Sequence, residues 1–403
     1  MEKLSRLREN LLDFGATFIL LWIIMFIIVF SDSLSWPAVP YLIREFLSEE
    51  PAVVAVLGLS LSIFNSTKIV ANILGALLGD KVDRSLVVLL ALLFFPASFA
   101  LLLFARDHIW IIGSYILFGI FYGILAPPLN AMVASSIPGG SRGTLFGIFN
   151  LSWIVSQIPA PIIGGLLSKT IFLRFPLILS LALSLFTLIL FIVFRGTLRN
   201  TAAQHRPNPS YETKDLTELS SRRLLLLCSA QLFSGLGSGV LSPITTAYLI
   251  YALKTTTAEM GLAYSLGWAL ATAFAQIPGG KLSDKLGYKR VIVVSTLISS
   301  PLVLLLPFSR TLEHFILIAA LSCFSGNLAS PAFSAYITVL MGEKKLSKGF
   351  GLTSASFGVG SIVGPIAGSF LWTTFQPNYL PPFAMSSISF LLTLPFIATL
   401  KEK

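Results

Sequence analysis

The feature that most constrains this chain is a run of roughly 20 apolar residues, repeated along its whole length. Such runs lie near 14–43, 51–79, 85–105, 109–136, 143–168, 172–194, 224–253, 258–280, 289–308, 312–340, 347–372 and 378–400. Each is long enough to cross a hydrocarbon core as an α-helix. Inside that core the backbone must satisfy its own hydrogen bonds, which a helix does within one segment. Only 11% of the residues are charged, against about 25% in soluble domains. The expected fold class is an all-α membrane protein with twelve transmembrane helices.

The net charge of +10 invites a nucleic-acid reading, and the placement of the charges argues against it. With the N-terminus placed in the cytoplasm, the inner segments hold 21 cations and the outer segments 6, with Lys68 left inside a span. This asymmetry sets orientation by the positive-inside rule. It predicts a multi-pass protein of the plasma membrane with both termini cytoplasmic and no nucleic-acid partner. Lys3, Arg6 and Arg8 precede the first run and no small-residue cleavage site follows, so a retained first helix is expected, not a signal peptide.

Two halves repeat. Residues 196–222, polar and carrying Pro207 and Pro209, read as a cytoplasmic linker between a bundle of six helices at 1–195 and another at 223–403. Ser35 and Tyr41 correspond to Ser242 and Tyr248, Pro127 and Ala131 to Pro331 and Ala335, and Pro161 to Pro365, at offsets of 204 to 207. Parallel repeats of this kind place a binding site between them near the midplane.

The loop Gly280-Lys281-Leu282-Ser283-Asp284-Lys285-Leu286-Gly287-Tyr288-Lys289-Arg290 joins two apolar runs, and its glycines suit a turn or a close approach. A second copy, Ala76-Leu77-Leu78-Gly79-Asp80-Lys81-Val82-Asp83-Arg84, stands 204 residues earlier, with Asp83 in the place of Gly287. This pair resembles the loop motif of the major facilitator superfamily. The resemblance covers the chain outside residues 196–222 and implies two pseudo-symmetric six-helix bundles. It also implies a cytoplasmic gate of Asp80, Arg84, Arg142, Gly280, Asp284, Gly287, Arg290 and Lys348, with Asp80 facing the start of helix 11 and Asp284 that of helix 5. The stretch from Gly360 to Gly368, which contains Gly364 and Pro365, resembles the glycine-proline motif of the family's exporters, and its first-half counterpart contains Ala160 and Pro161. Small residues four apart permit close helix contact, and proline permits a kink. Ser31-Asp32-Ser33-Leu34-Ser35-Trp36-Pro37 resembles the helix 1 motif of the drug/proton antiporter branch.

Charge within a span costs about 2.5–3.5 kcal/mol on insertion scales, so such residues face a cavity or a partner. Asp32 and Lys68 are therefore the candidates for coupling protons to substrate. A carboxyl group poised between desolvation, which favours the neutral acid, and a cation, which favours the ionised one, can load and release a proton. The bland alternatives are an acid at the outer mouth and a lysine that merely pairs with it. Asn65, Lys68 and Asn72 have helical spacing and give helix 2 a polar stripe. Asn130, Asn150, Gln157, Gln231 and Asn327 are further polar positions in spans, and Trp36, Tyr122 and Trp268 are aromatic candidates for lining a cavity, although packing explains many such rings.

The function expected is secondary active transport of small molecules by alternating access, in the form of proton-coupled efflux of apolar or cationic compounds. An alternative is uptake or exchange of an organic anion or nutrient through Lys68. Another is a non-transporting receptor or a membrane-embedded enzyme. No intramembrane histidine, paired carboxylates or metal-ligand spacing supports an enzyme, and no phosphate-binding glycine-lysine-serine loop supports an ATP-driven pump. No metal or cofactor is expected, with a proton or other ion gradient as the driving force, and the partners expected are a small-molecule substrate and the lipid bilayer around a monomer.

Overall fold

The computed structural model describes the backbone of residues 2–135, 142–204, 221–341 and 346–400, and side chains within 15–79, 81–133, 148–198, 222–337 and 349–400. Among the described residues, twelve helices are long and apolar enough to cross a membrane. They are α1 (Gly15–Phe46), α2 (Glu50–Gly79), α3 (Arg84–Leu103), α4 (His108–Val133), α5 (Ile148–Thr170) and α6 (Phe175–Leu198), then α7 (Arg222–Ala252), α8 (Thr257–Leu286), α9 (Tyr288–Phe308), α10 (Leu312–Ile337), α11 (Gly349–Phe375) and α12 (Leu380–Thr399). No strand occurs among the described residues. The chain is an all-α, multi-pass membrane protein.

Twelve crossings return both chain ends to one face. The same face bears the loops where the sequence concentrates its cations, and it is called the basic face here; the opposite one is the far face. Helix continues from α6 to Gln204, so the expected linker starts as helix; residues 205–220 lie outside the described ones.

Proline and glycine set the interruptions. α1 breaks at Trp36–Ala38 around Pro37 and resumes at Val39. α5 breaks between Gln157 and Pro159, since proline brings no N–H to the helix ladder. α11 runs unbroken through Pro365, while its counterpart Pro161 follows a break in α5. Gly287 alone separates α8 from α9, at φ 87°, a conformation that strains other residues. Gly280, in contrast, faces open space and serves no close approach. In the first-half loop Asp83 replaces the glycine turn with a cap, its carboxylate accepting the Ser85 N–H at 3.0 Å.

The first six helices share one apolar core, with Ile28, Leu92, Phe95, Phe99 and Phe121 among its fully buried members. The last six enclose two cores. One, around Ile244, Phe315 and Phe383, also takes in Val54 of α2. The other is built around Tyr336 and Ile397. The glycine stripe of α11 packs on α7: a Cβ on Gly364 would stand 2.6 Å from Leu236 O and 2.7 Å from Gly239 Cα, and one on Gly368 2.7 Å from Val240 O.

The two sets of helices meet along α2 with α11 and along α5 with α8. The first seam begins at Glu50 with Gln376 and ends at Ile69 with Gly358. The second joins Gly165 to Thr257 and Pro161 to Gly261. Further toward the basic face α2 loses its partner. Asn72 and Ala76 continue the line of Val54, Asn65 and Ile69 and are exposed, and Gly351 of α11 faces open space. Among the described residues, the two sets of helices touch near the far face and part toward the basic face.

Overpacking a fitted helix interface costs about 1–3 kcal/mol. Gly364→Leu is expected to lower the melting temperature of the detergent-purified protein by several degrees, while Gly280→Ala leaves it unchanged. Equal melting of both variants would contradict the packing role of Gly364.

Candidate functional site

Asp32 stands one turn before the break in α1. Its carboxylate accepts a hydrogen bond from the Tyr122 hydroxyl, with Oδ2 2.8 Å from the phenol oxygen. Tyr122 is buried on α4. It reaches α1 because α2 and α4 lie almost backbone to backbone: a Cβ on Gly123 would stand 2.5 Å from both the Ala71 Cβ and the Lys68 carbonyl oxygen. The same packing sets Phe64 edge-on to Tyr122, centroids 6.1 Å apart, and Trp153 of α5 lies 6.0 Å from Tyr122 on another side.

Lys68 lies near enough to Asp32 to act on it electrostatically, as do the Trp36 and Tyr122 side chains. It makes no salt bridge with Asp32. Its Nζ rests 5.6 Å from the centroid of Phe64. Trp36 turns toward the other half, edge-on to Tyr264 of α8 at 6.3 Å. Tyr264 shares a hydrogen bond with Thr246 at 2.7 Å and packs on Trp268, which touches Phe315. The acid, the lysine and Trp36 thus stand among aromatic rings, just on the basic side of the far-face closure.

The remaining sequence candidates divide. Asn65 is not a free cavity group: its amide donates to Leu61 O and to Ser361 O of α11, both at 3.0 Å. It belongs to the seam, because its position on α2 faces α11 where the helices touch. Asn327 is likewise occupied, donating to Cys323 O at 2.8 Å and Cys323 Sγ at 3.2 Å. Asn72, Asn130 and Asn150 are exposed, and Gln157 and Gln231 are half-buried. Of the expected gate, Arg84 opens α3, and Asp284 and Arg290 are exposed. Asp80, Arg142 and Lys348 lie outside the residues whose side chains are described, and the expected contacts across the basic face lie there too.

The closure at the far face is what sequence reasoning missed. Glu50 accepts hydrogen bonds from Trp372 Nε1 at 3.0 Å and from Gln376 Nε2, both in the other half. Arg44 lies over the rings of Tyr41 and Tyr251, 5.4 Å from the latter centroid. The Tyr41 hydroxyl donates to Thr255 O. Ser369 Oγ donates to Val54 O at 2.9 Å, and Thr257 Oγ1 to Gly165 O at 3.0 Å. Apart from Tyr41 beside Arg44, the partners stand 92 to 326 positions apart in the chain, so no local pattern marks them. Glu50 offered the one signal, an acid at the first turn of a span, which a helix N-terminus explains equally well.

The fold and site fit a known family. Residues 21–230 and 227–402 match the Major Facilitator Superfamily model, and the chain belongs to that family of membrane transporters. It is 23% identical over 359 residues to the multi-drug resistance efflux pump PmrA of Streptococcus pneumoniae, covering 86% of this chain and 87% of the relative. It is 23% identical over 390 residues to the proton-coupled antiporter flippase LtaA of Staphylococcus epidermidis, covering 94% and 93%. Its fold is similar to the crystal structure of a bacterial homologue of the human lysosomal transporter Spinster, with TM-score 0.71 at 15% identity over 96% of this chain and 95% of that one.

A hydrogen bond to a charged acceptor contributes about 1.5–3 kcal/mol, so the two accepted by Glu50 weigh in the balance between closed and open far faces. With a reporter cysteine at Thr255, Glu50→Ala is expected to speed modification by a membrane-impermeant thiol reagent from the far face at least threefold over the cysteine protein alone. An unchanged rate would remove Glu50 from the closure.

Proposed function

We propose that this protein exports small, largely apolar compounds in exchange for protons by alternating access. The observation that carries the proposal is Asp32. It is a carboxylate deep inside a membrane span, and it is held by the Tyr122 hydroxyl. The positive-inside count assigns the basic face to the cytoplasm of the plasma membrane, so the present state receives substrate from inside. The names of two relatives, an efflux pump and a proton-coupled antiporter, support both parts of the reading.

The cycle follows from mutual exclusion. Substrate entering from the basic face meets Asp32 and is favoured when the acid has given up its proton to that side. The far-face seam then parts, the pocket opens outward, and substrate leaves as Asp32 takes a proton. The protonated site returns to the closed far face. The groups that act on Asp32 through this cycle are Tyr122, Trp36 and Lys68, with the Tyr115 phenol nearby. A ligand shifts such an equilibrium only by binding one state better than the other, and competition at one carboxylate supplies that difference.

Asp32→Asn keeps the shape and the Tyr122 partner while removing the titration. In liposomes with an imposed pH gradient, this variant is expected to lose at least tenfold of gradient-driven transport of an efflux substrate while retaining counterflow of that substrate without a gradient. Gradient-driven transport at the level of the unmodified protein would remove Asp32 from coupling.

A further inference from the structure

Lys68 is the least explained charge in the structure. On a helix of 3.6 residues per turn, it lies on the side of α2 opposite Leu59, Val70, Ile73 and Leu77, which are 41% to 60% exposed and form the lipid face. On one flank Ala71 and the Lys68 carbonyl abut Gly123 of α4. On the other, Asn65 and Ile69 meet Ser361 and Gly358 of α11. The side chain therefore lies between these contacts on the inward side of α2, level with the inner end of the seam at Ile69. There its ammonium makes a ring contact with Phe64 and has neither a hydrogen bond nor a salt bridge to any described residue.

The fold does not demand a charge at this place. At the 204-residue offset that relates Asp80 to Asp284, Lys68 corresponds to Thr272. Thr272 fills the equivalent position with a hydroxyl 3.2 Å from Cys323 Sγ. Helix packing is thus served by a small polar residue in one half and accommodates an ammonium in the other. Nor does Lys68 neutralise Asp32 by contact. Each charge has its own aromatic partner, Phe64 for the lysine and Tyr122 for the acid, and the two attract across a gap that neither closes.

We infer that Asp32 and Lys68 together form a zwitterion-binding site, in which a cationic group of the substrate meets the Asp32 carboxylate and an acidic group of the same molecule meets the Lys68 ammonium. The substrates are amphoteric compounds with an apolar, aromatic-compatible body, which Phe64, Tyr122 and the partly exposed Trp153 contact. This deepens the efflux reading and rests on it. The two charges keep distinct duties. The substrate cation competes with the proton at Asp32, as exchange requires. Lys68 takes no part in that competition and selects for the second charge. A purely anionic substrate would bind best to the protonated site, which would couple it to protons moving the same way. A purely cationic one would leave Lys68 unpaired against it.

The test is equilibrium binding to the purified full-length protein in detergent, with no gradient, read by fluorescence polarisation. The probes are rhodamine B, a zwitterion, its ethyl ester, a cation with the same ring system, and fluorescein, an anion. Rhodamine B is expected to bind about tenfold more tightly than the ester or fluorescein. Lys68→Gln is expected to weaken rhodamine B about tenfold and to leave the ester unchanged or tighter, while Lys68→Arg keeps the preference. Equal affinity for rhodamine B and its ester, equal weakening of both by Lys68→Gln, or no binding of rhodamine B would overturn the inference. Because no gradient is present, a zwitterion preference lost in Lys68→Gln stands even if Asp32→Asn leaves gradient-driven transport intact.

Discussion

Backbone approach between the two sets of helices is the constraint on which the rest of the structure depends. Gly58 lets α2 reach Pro365 and Ser369 of α11, and Gly165 and Gly261 let α5 and α8 touch main chain to main chain. In a bilayer there is little hydrophobic gain in bringing helices together, since lipid is as apolar as the side chains it replaces. Close packing and hydrogen bonds between helices must hold the halves instead. They do so at the far face, where Ser369 reaches Val54 and Thr257 reaches Gly165, and among the described residues the α2–α11 seam extends to Ile69 and Gly358.

The closure at the far face has a different character from the seam beneath it. Its outer rim is charged: Glu50 gathers donors from Trp372 and Gln376, and Arg44 covers Tyr41 and Tyr251. These groups border water, where they stay solvated when the halves separate. The seam beneath relies on Gly58, Val54, Ser369 and Ser361, small or apolar residues that lose little when lipid or water replaces the partner. A gate built this way opens without stranding a charge. The pocket below keeps its charges permanently. Asp32 and Lys68 each have an aromatic neighbour within their own half, Tyr122 and Phe64. Those contacts do not depend on how the halves are set, so the halves can move as bodies while the site keeps its local geometry.

The sequence by itself determined the class of fold and the number of spans, and it singled out Asp32 and Lys68 as the candidates for the site. Twelve apolar runs leave helices as the way to satisfy the backbone in lipid, and a charge inside a run is costly enough to mark itself, so Asp32 and Lys68 were legible without neighbours. The glycine-rich loop likewise announced the turn at Gly287, because a left-handed backbone position favours one residue type. Tertiary structure alone decided the rest. It placed Tyr122 on Asp32, assigned Asn65 to the seam and not to the cavity, turned Trp36 toward Tyr264, and made Glu50 part of a closure. Each of these joins residues on different helices, 90 to 326 positions apart, and periodicity within a helix carries no information about which helix lies beside it. A span reports its own need for burial and lipid; the choice of partner follows from packing small residues against one another, which only the assembled bundle reveals.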